Sequence, residues 1–309
     1  MRMQPSVSVI IPTLNAAGYL PNLLKILKNQ SVKPAEILIV DSQSDDDTVA
    51  IAREYQTTVL EIKRDDFDHG GTRNWAARQV SGDYLVFLSQ DAVPTDEHLI
   101  ENLLHSFEKE ASIAAAYARQ LPCENADRIE SLTRLYNYPD DSCVKSLTDI
   151  GRYGIKTFFF SDVCSIYRRT TFEELGGFES PILTNEDMLM AYRLMQVGYK
   201  TCYQTEAKVY HSHNLTLRQQ YQRNFDVGAF LSTYPFPVKS EIGEGIRMIL
   251  SVGFSLLKQF RLFSILRLIV VSLVKWKGNR DGKQFRQYSY EEILKKSAQK
   301  AFWKRFFGK

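Results

Sequence analysis

An α/β fold, a mainly parallel sheet covered by helices, follows from three features of the chain. Short β-branched runs recur between Val7 and Leu88. Stretches with helical spacing lie between them. The junctions carry Pro, Gly, Asp and Ser, which end strands and start helices. Strands alternating with helices at this spacing pair in parallel and are covered on both faces.

The elements follow in order. Val7 to Ile11 is a strand stopped by Pro12, and Leu20 to Lys28 has helical spacing. Glu36 to Val40 is a second strand ending at Asp41. Ser44, with Asp47 three residues on, has the capping-box pattern of a helix start. Val59 to Ile62 is a third strand, and Thr72 to Gln79 a helix after Gly70-Gly71. Tyr84 to Leu88 is a fourth strand. Thr95 caps the next helix, with Asp96 and Glu97 in its first turn. Residues 111 to 160 give no clear pattern. Phe158 to Tyr167 reads as a strand region closed by Arg168-Arg169, Asp187 to Gln196 as a helix capped by Gly198, and Tyr210 to His213 as a short extended piece. There is no internal repeat and no low-complexity segment.

At 309 residues, 44% of them apolar, the chain can hold one large domain with an appendage, or two domains. A net charge of +3 does not mark a polyanion binder, so nucleic acid is not expected as a partner. Cys123, Cys143, Cys164 and Cys202 are scattered without a Cys-x-x-Cys pair, which fits idle thiols in a reducing cytosol better than a zinc site. The opening Met-Arg-Met-Gln-Pro-Ser runs into a strand without an apolar leader. The expected location is the cytosol or the cytoplasmic face of the cell membrane.

The chain changes character near residue 236, giving an expected division into 1–235 and 236–309. Ile246 to Trp276 is rich in Leu, Ile, Val and Phe, yet its longest uncharged run, Met248 to Leu257, is too short to span a bilayer. Arg247, Ser251, Ser255, Lys258 and Arg261 fall on one side of a helical wheel, and Arg267 breaks that pattern. From Lys275 onward Lys and Arg outnumber Asp and Glu. This reads as basic amphipathic helices lying peripherally on an anionic membrane surface. The terminal Phe302-Trp303-Lys304-Arg305-Phe306-Phe307 favours the same reading, since aromatics with Lys and Arg suit the headgroup zone. A helical subdomain packed on the core, or a homodimer interface, is the alternative.

Ligands of open α/β sheets bind outside the carboxyl ends of the strands. Asp41 and Asp91 both stand at such ends. Glu186-Asp187 opens a helix about a hundred residues later. An acid at a strand tip and another at a distant helix start fit a metal-assisted site with a separate general base. His211 and His213, two apart in an extended piece, face the same side. Taken singly, each feature has a plainer explanation: Asp41 and Asp91 as turn residues, Asp45 to Asp47 as helix capping, Gly70-Gly71 as a loop, Arg73 as a surface charge.

Taken together they occur in one order: Pro12-Thr13-Leu14-Asn15, Val40-Asp41-Ser42-Gln43-Ser44-Asp45-Asp46, His69-Gly70-Gly71-Thr72-Arg73-Asn74, Gln90-Asp91-Ala92, Asn185-Glu186-Asp187 and His211-Ser212-His213. In this the chain resembles the inverting glycosyltransferases of family 2, which have the GT-A fold. Phe67 to Asn74 and the Ser-Gln-Asp-Ala form of the metal motif are most similar to the rhamnosyltransferase branch, whose members build rhamnose-rich cell-wall or surface polysaccharide on a lipid carrier. The resemblance covers about residues 5 to 235. Many members carry Asp-x-Asp where this chain has Gln90-Asp91-Ala92, with one carboxylate.

The resemblance implies roles. Thr13 and Asp41 line the base pocket, Gln90 belongs to the donor site, and Arg73, after flexible glycines, reaches the diphosphate. Asp91 ligates Mg²⁺ or Mn²⁺, hard ions suited to oxygen ligands, with His211 or His213 as a further ligand. Asp187 is the general base, kept ionised by the helix dipole. Glu186 has the weaker claim, as orienter or acceptor contact, and Asp162 touches the acceptor sugar. The implied reaction moves L-rhamnose from dTDP-β-L-rhamnose to a lipid-linked saccharide with inversion. A UDP-hexose or UDP-N-acetylhexosamine donor is the runner-up. A sugar nucleotidyltransferase would open with a Gly-rich basic loop where this chain has Pro12-Thr13-Leu14-Asn15-Ala16-Ala17. A non-catalytic scaffold is the remaining rival.

Overall fold

The computed structural model describes residues 5–238 and 242–308, without the side chain of Ile242. Its first half repeats strand and helix: β1 (Val7–Thr13), α1 (Leu20–Lys28), β2 (Glu36–Asp41), α2 (Thr48–Glu54), β3 (Thr58–Glu61), α3 (His69–Ala77) and β4 (Tyr84–Leu88). There follow β5 (Val93–Pro94), α4 (Leu99–Lys109), β6 (Ile113–Leu121), α5 (Arg128–Asn137), β7 (Cys143–Lys145), α6 (Ile150–Tyr153) and β8 (Cys164–Arg168). Then come α7 (Arg169–Glu174), α8 (Glu186–Gln196), β9 (Lys200–Tyr210) and α9 (Leu217–Thr233). The last elements are α10 (Ile242–Lys258), α11 (Leu262–Lys283), α12 (Tyr290–Lys296) and α13 (Lys300–Phe306).

One sheet runs β3-β2-β1-β4-β8-β6-β9-β5, with β7 also on β9. Its first four strands are parallel, as the sequence spacing requires. Beyond β4 the sheet is mixed: β8 runs antiparallel to β4 and β6, while β6 and β9 pair in parallel. Apolar side chains alternate to both faces. Val9, Ile11, Ile39 and Val86 pack with Leu20, Leu24, Leu27 and Leu103 on one side. Ile10, Leu38, Val40 and Phe87 meet Ala76, Phe172, Met190 and Leu194 on the other. This two-sided burial explains the near-continuous apolar runs.

Several boundaries differ from the sequence reading. Ser44 does not cap α2: its hydroxyl donates to Asp41, and Asp46 accepts the N–H of Thr48 instead. Thr95 lies before the helix start at Leu99, and its hydroxyl donates to Asp96. The segment from Phe158 begins at the end of a 3₁₀ turn and reaches strand only at Cys164. Gly70 and Gly71 are not a flexible loop. They form the first turn of α3, where Asp68 accepts the Gly71 N–H at 2.7 Å. A Cβ on Gly70 would lie 2.0 Å from the Glu179 carbonyl oxygen, so only glycine fits.

The C-terminal helices build on α9. Gly278 and Gly282 of α11 sit against the backbone of Tyr221 and Phe225, and Gly228 sits against Asn279, an approach that only small residues allow. After α11 the chain folds back. Trp303 is buried against Phe285. Arg305 donates to the carbonyls of Asp65 and Phe67 at 2.7 and 2.9 Å. The reading of Trp303 as a headgroup aromatic is therefore corrected: its indole belongs to a core cluster. The exposed apolar surface lies elsewhere, on α10, α11 and their turn, where Phe260 and Phe263 are 90% and 88% exposed. No described helix is long and apolar enough to cross a membrane.

Candidate active site

A cavity of about 310 Å³ opens at the carboxyl ends of β1, β2 and β4, lined by Thr13, Ser42, Arg64, His69, Arg73 and Asp91 among others. This is where parallel strands leave room for a ligand. Thr13 and Asp41 are register partners at the ends of β1 and β2, and the Thr13 hydroxyl donates to Asp41 Oδ1 at 2.9 Å. Asp41 also accepts the Ser44 N–H at 2.8 Å. It sits behind the cavity wall, tying two strand ends together. Gln90 does the same for the next pair of loops. Its amide accepts from the Leu14 N–H at 2.8 Å and donates to the Leu14 carbonyl at 3.1 Å.

Asp91 stands in the tight turn after β4, and β5 pairs with the end of β9, which brings the turn beside His211 and His213. Asp91 Oδ2 is 3.6 Å from His211 Nε2 and 3.4 Å from His213 Nε2. One ligand atom from each of the three lies within 4.8 Å of the others. His211 is buried and His213 half exposed. His211 Nδ1 is 2.9 Å from Gln120 Oε1. The Gln120 amide donates to Ser161 Oγ at 2.9 Å and its Oε1 also accepts from Arg134, which fixes the amide's orientation. The shorter contact to Gln120, against 3.3 Å from Nδ1 to the Arg134 guanidinium, assigns the proton to Nδ1 and leaves the Nε2 lone pair toward Asp91. Burial first, then the charge of Arg134, pushes the His211 pKa down to about 2, so the ring is neutral and able to ligate. One carboxylate and two imidazoles in a concave site fit a divalent cation completed by ligand oxygens.

The second cluster is acidic. Asp187 Oδ2 accepts the Asp162 N–H at 3.1 Å, and Oδ1 accepts the Met188 N–H at 2.7 Å. Asp162 Oδ1 accepts from Ser165 and Tyr167 at 2.6 and 2.8 Å, while its Oδ2 is buried without a partner. Glu186 pairs with Arg73 at 3.1 Å. Arg73 is buried and also donates to the His69 carbonyl at 2.9 Å. It lines the cavity from within α3, on a fixed base rather than a mobile one. Burial, then Glu186, then Asp162 raise the Asp187 pKa well above the carboxylate range. This reverses the helix-dipole expectation: desolvation and two neighbouring acids outweigh a dipole effect of about 0.3–1 kcal/mol. Burial above all lifts Asp162 to about 6.

The ten residues singled out from the sequence thus fall into connected groups. Asp91, His211 and His213 meet. Glu186, Asp187 and Asp162 meet, and Arg73 links Glu186 to the cavity. Thr13, Asp41 and Gln90 fix the strand-end loops. Sequence reasoning missed Gln120 and Ser161, which back His211, and Arg64, which lines the cavity. Gln120 lies in an Ala-rich strand that carried no pattern. His69 stood in a quoted motif but was given no role. It lines the cavity and contacts Gln299 of the C-terminal segment at 3.1 Å.

Comparison with known proteins bears on the same features. The profile of Glycosyl transferase family 2 matches residues 8–176. The chain is 39% identical over 303 residues to the O-antigen chain rhamnosyltransferase RfbN of Salmonella typhimurium, covering 96% of each chain. It is 38% identical over 305 residues to the O-antigen chain rhamnosyltransferase WbaN of Salmonella anatum, covering 97% of this chain and 96% of that one. Among solved structures, it superposes on the mannosyltransferase PcManGT of Pyrobaculum calidifontis, in complex with GDP-Man and Mn²⁺, with a TM-score of 0.56 at 16% identity. That match covers 100% of this chain and 89% of the other. Staphylococcus aureus TarS 1–349 in complex with UDP-GlcNAc gives 0.55 at 17% identity, covering 91% and 92%. These two likenesses establish the fold as that of GT-A glycosyltransferases.

Proposed function

The chain belongs to the family 2 glycosyltransferases, and from that premise we propose that it transfers L-rhamnose from dTDP-β-L-rhamnose to a lipid-linked saccharide in surface-polysaccharide synthesis. The observation that carries the sugar is the likeness, over 96% of both chains, to a relative named as an O-antigen chain rhamnosyltransferase.

The donor nucleotide lies in the cavity at the ends of β1, β2 and β4, with its base against Thr13 and the Thr13–Asp41 pair behind it. Asp91, His211 and His213 would hold Mg²⁺ or Mn²⁺, which when bound supplies Lewis-acid stabilisation of the departing diphosphate. Arg73 faces the same cavity and adds positive charge. Asp187 takes the proton of the acceptor hydroxyl as that oxygen attacks the anomeric carbon from the face opposite the diphosphate. A single displacement inverts the centre. A raised carboxyl pKa suits a base working near neutral pH. Glu186, tied to Arg73, joins the base to the donor cavity, and Asp162 holds Asp187 through its N–H and borders the acceptor side.

The exposed apolar hairpin of α10 and α11 supports peripheral docking at the cytoplasmic face of the membrane. Lys258 sits over the Phe254 ring at 4.5 Å and Arg261 follows Phe260 in the turn, so apolar insertion and attraction to anionic lipid act at one surface. Purified protein assayed with dTDP-rhamnose beside UDP-hexoses and UDP-N-acetylhexosamines, with and without Mn²⁺, tests the reading. Turnover of dTDP-rhamnose alone supports it, and preference for a UDP-sugar overturns the donor assignment.

A further inference from the structure

A second cavity, of about 240 Å³, lies on the other side of the metal-ligand cluster, between α5, α9 and α11. His213 lines it, whereas Asp91 lines the donor cavity, so the cluster forms the partition between the two. Three cations face the second cavity: Arg134, Arg223 and Lys275. Arg134 is neutralised by Glu130, which also lines the space. Arg223 and Lys275 have no hydrogen bond or ion pair among the described residues, and Lys275 is half-buried. Lys275 feels Glu130 and Asp127 but pairs with neither, and Arg223 is exposed, so both are free to take an anion; a partly desolvated cation gains from a close one.

The position of the cavity narrows the anion. Tyr138 lines it and lies close enough to both Asp187 and Arg223 to feel their charges. Phe159 lines it too, three residues before Asp162, whose N–H bonds Asp187, so the space lies near the base without touching it. In the other direction it continues past Lys275 to Val271 and Arg267 on α11. The outer face of the same helix carries Leu273, Val270, Ile269, Leu266 and Phe263, all exposed. A polar, cationic pocket leading from a catalytic carboxylate onto an exposed apolar helix matches a ligand with a sugar at one end, phosphate in the middle and hydrocarbon at the other.

We propose that this second cavity binds the diphosphate of the acceptor's lipid carrier, with Arg223 and Lys275 as its phosphate ligands. The proposal rests on the reading of the acceptor as lipid-linked. It makes the enzyme recognise the carrier as well as the terminal sugar. The reaction that supplies its substrate is then one that attaches a first sugar or short saccharide to a lipid diphosphate.

Binding of farnesyl diphosphate to the full chain, measured calorimetrically in EDTA so that a metal ion cannot hold the phosphate, is the direct test. The parent binds, each of Arg223→Ala and Lys275→Ala weakens binding about tenfold, and Lys275→Arg restores it. Both alanine variants still bind dTDP with Mn²⁺, which shows that they are folded and that the donor side is intact. In turnover, the alanine variants raise KM for a saccharide on a lipid diphosphate and leave KM for the same saccharide on an uncharged alkyl chain alone. No binding by the parent, equal binding by the variants, or a loss confined to dTDP affinity would overturn the assignment. The binding arm uses no donor sugar, so a failed donor panel and a failed carrier site are read separately.

Discussion

Asp187 Oδ2 accepts the backbone N–H of Asp162 at 3.1 Å, so the proposed base and the buried acid beside it form one unit. Burial raises both pKa values, the charge of Asp162 raises that of Asp187 further, and the hydrogen bond fixes the direction in which Asp187 points. Asp187→Asn keeps the shape and one acceptor for the Asp162 N–H, gives up the bond from the Met188 N–H, and removes the basicity. Transfer should fall by about 10²–10⁴-fold with the affinity for dTDP and Mn²⁺ nearly intact. Parent-like turnover in the variant would remove Asp187 from its role.

The same unit predicts a pH profile. The working base is the ionised form, and burial, Glu186 and Asp162 keep Asp187 protonated to a higher pH than an ordinary carboxyl of about 4. kcat/KM therefore rises along an acid limb whose midpoint, a property of the coupled group, lies above that value. Glu186→Gln removes one negative neighbour, so the midpoint should move to lower pH. A midpoint that stays in place or moves up contradicts the coupling. Arg73 loses its partner in this variant, so donor KM is measured alongside.

Metal affinity should depend on a residue that touches no metal. Gln120 accepts from His211 Nδ1 and so aims Nε2 at the site. Removal of such a backing partner typically costs about 10–100-fold in metal affinity. Gln120→Leu should weaken Mn²⁺-dependent dTDP binding to that extent. Asp91→Ala should weaken it further, since Gln90 is committed to Leu14 and cannot replace the carboxylate. Titration of dTDP with and without Mn²⁺ checks both. If Gln120→Leu binds as the parent does, His211 is held by other contacts.

How much of this was legible in the sequence follows from what each segment is made of. The first four strands were visible because Val, Ile and Leu runs are bounded by Pro12, Asp41 and Gln90. β6 was not, because Ala114, Ala115, Ala116 and Ala118 carry little strand preference and its pairing with β9 is long-range. β9 was seen only at its end: Gln204, Glu206 and Lys208 alternate with Thr205, Ala207 and Val209, but Glu206, Lys208 and Ala207 carry little strand preference. The candidate acids and the His pair were legible from their order along the chain. Their supports were not: Gln120, Ser161 and the fold-back of Arg305 depend on contacts between distant segments. Trp303 misled because a basic aromatic terminus has the same composition whether it docks on lipid or on its own core.

Gly70 gives a packing prediction. An added Cβ would lie 2.0 Å from the Glu179 carbonyl oxygen, so Gly70→Ala must push the start of α3 off the 178–180 segment. Overpacking of this kind costs about 1–3 kcal/mol. Thermal unfolding should shift down, and donor KM should rise because Arg73 moves with the helix. An unchanged melting temperature would mean that the 178–180 segment yields freely.

Asp226 predicts how stability varies with pH. Its carboxyl is buried and accepts from Ser297 and the Ala298 N–H, which anchors the segment after α12 to α9. Burial raises its pKa from 3.8 to about 7, against the opposing effect of those hydrogen bonds. The folded state therefore holds the proton more tightly than the unfolded state. Stability from this group is present in full below about pH 4 and is lost as pH rises toward 7. Asp226→Asn should flatten the fall in melting temperature between pH 5 and pH 8. An equally steep fall in the variant would assign the dependence to Asp162 and Asp187 instead.

The last prediction separates two ways of meeting a membrane. Trp303 is 1% exposed, so the C-terminal aromatics offer little surface for lipid apart from Phe306 and Phe307. Phe260 and Phe263 project from the turn between α10 and α11, with Arg261 between them. A phenylalanine side chain taken fully out of water gains about 1.5–3 kcal/mol, so two of them supply most of the insertion energy of a reversible anchor. The neighbouring cations add an attraction that salt screens beyond about 8 Å at physiological ionic strength. Phe260→Ser with Phe263→Ser should therefore lower flotation with anionic vesicles about a hundredfold or more in partition at any salt. Charge removal at Lys258 and Arg261 should matter only at low salt. Loss of residues 300–309 is expected to act differently: it releases the 65–67 loop held by Arg305 and alters donor affinity rather than flotation. If the double serine variant floats as well as the parent, the hairpin is a packing or dimerisation surface, and the membrane reading of α10 and α11 falls with it.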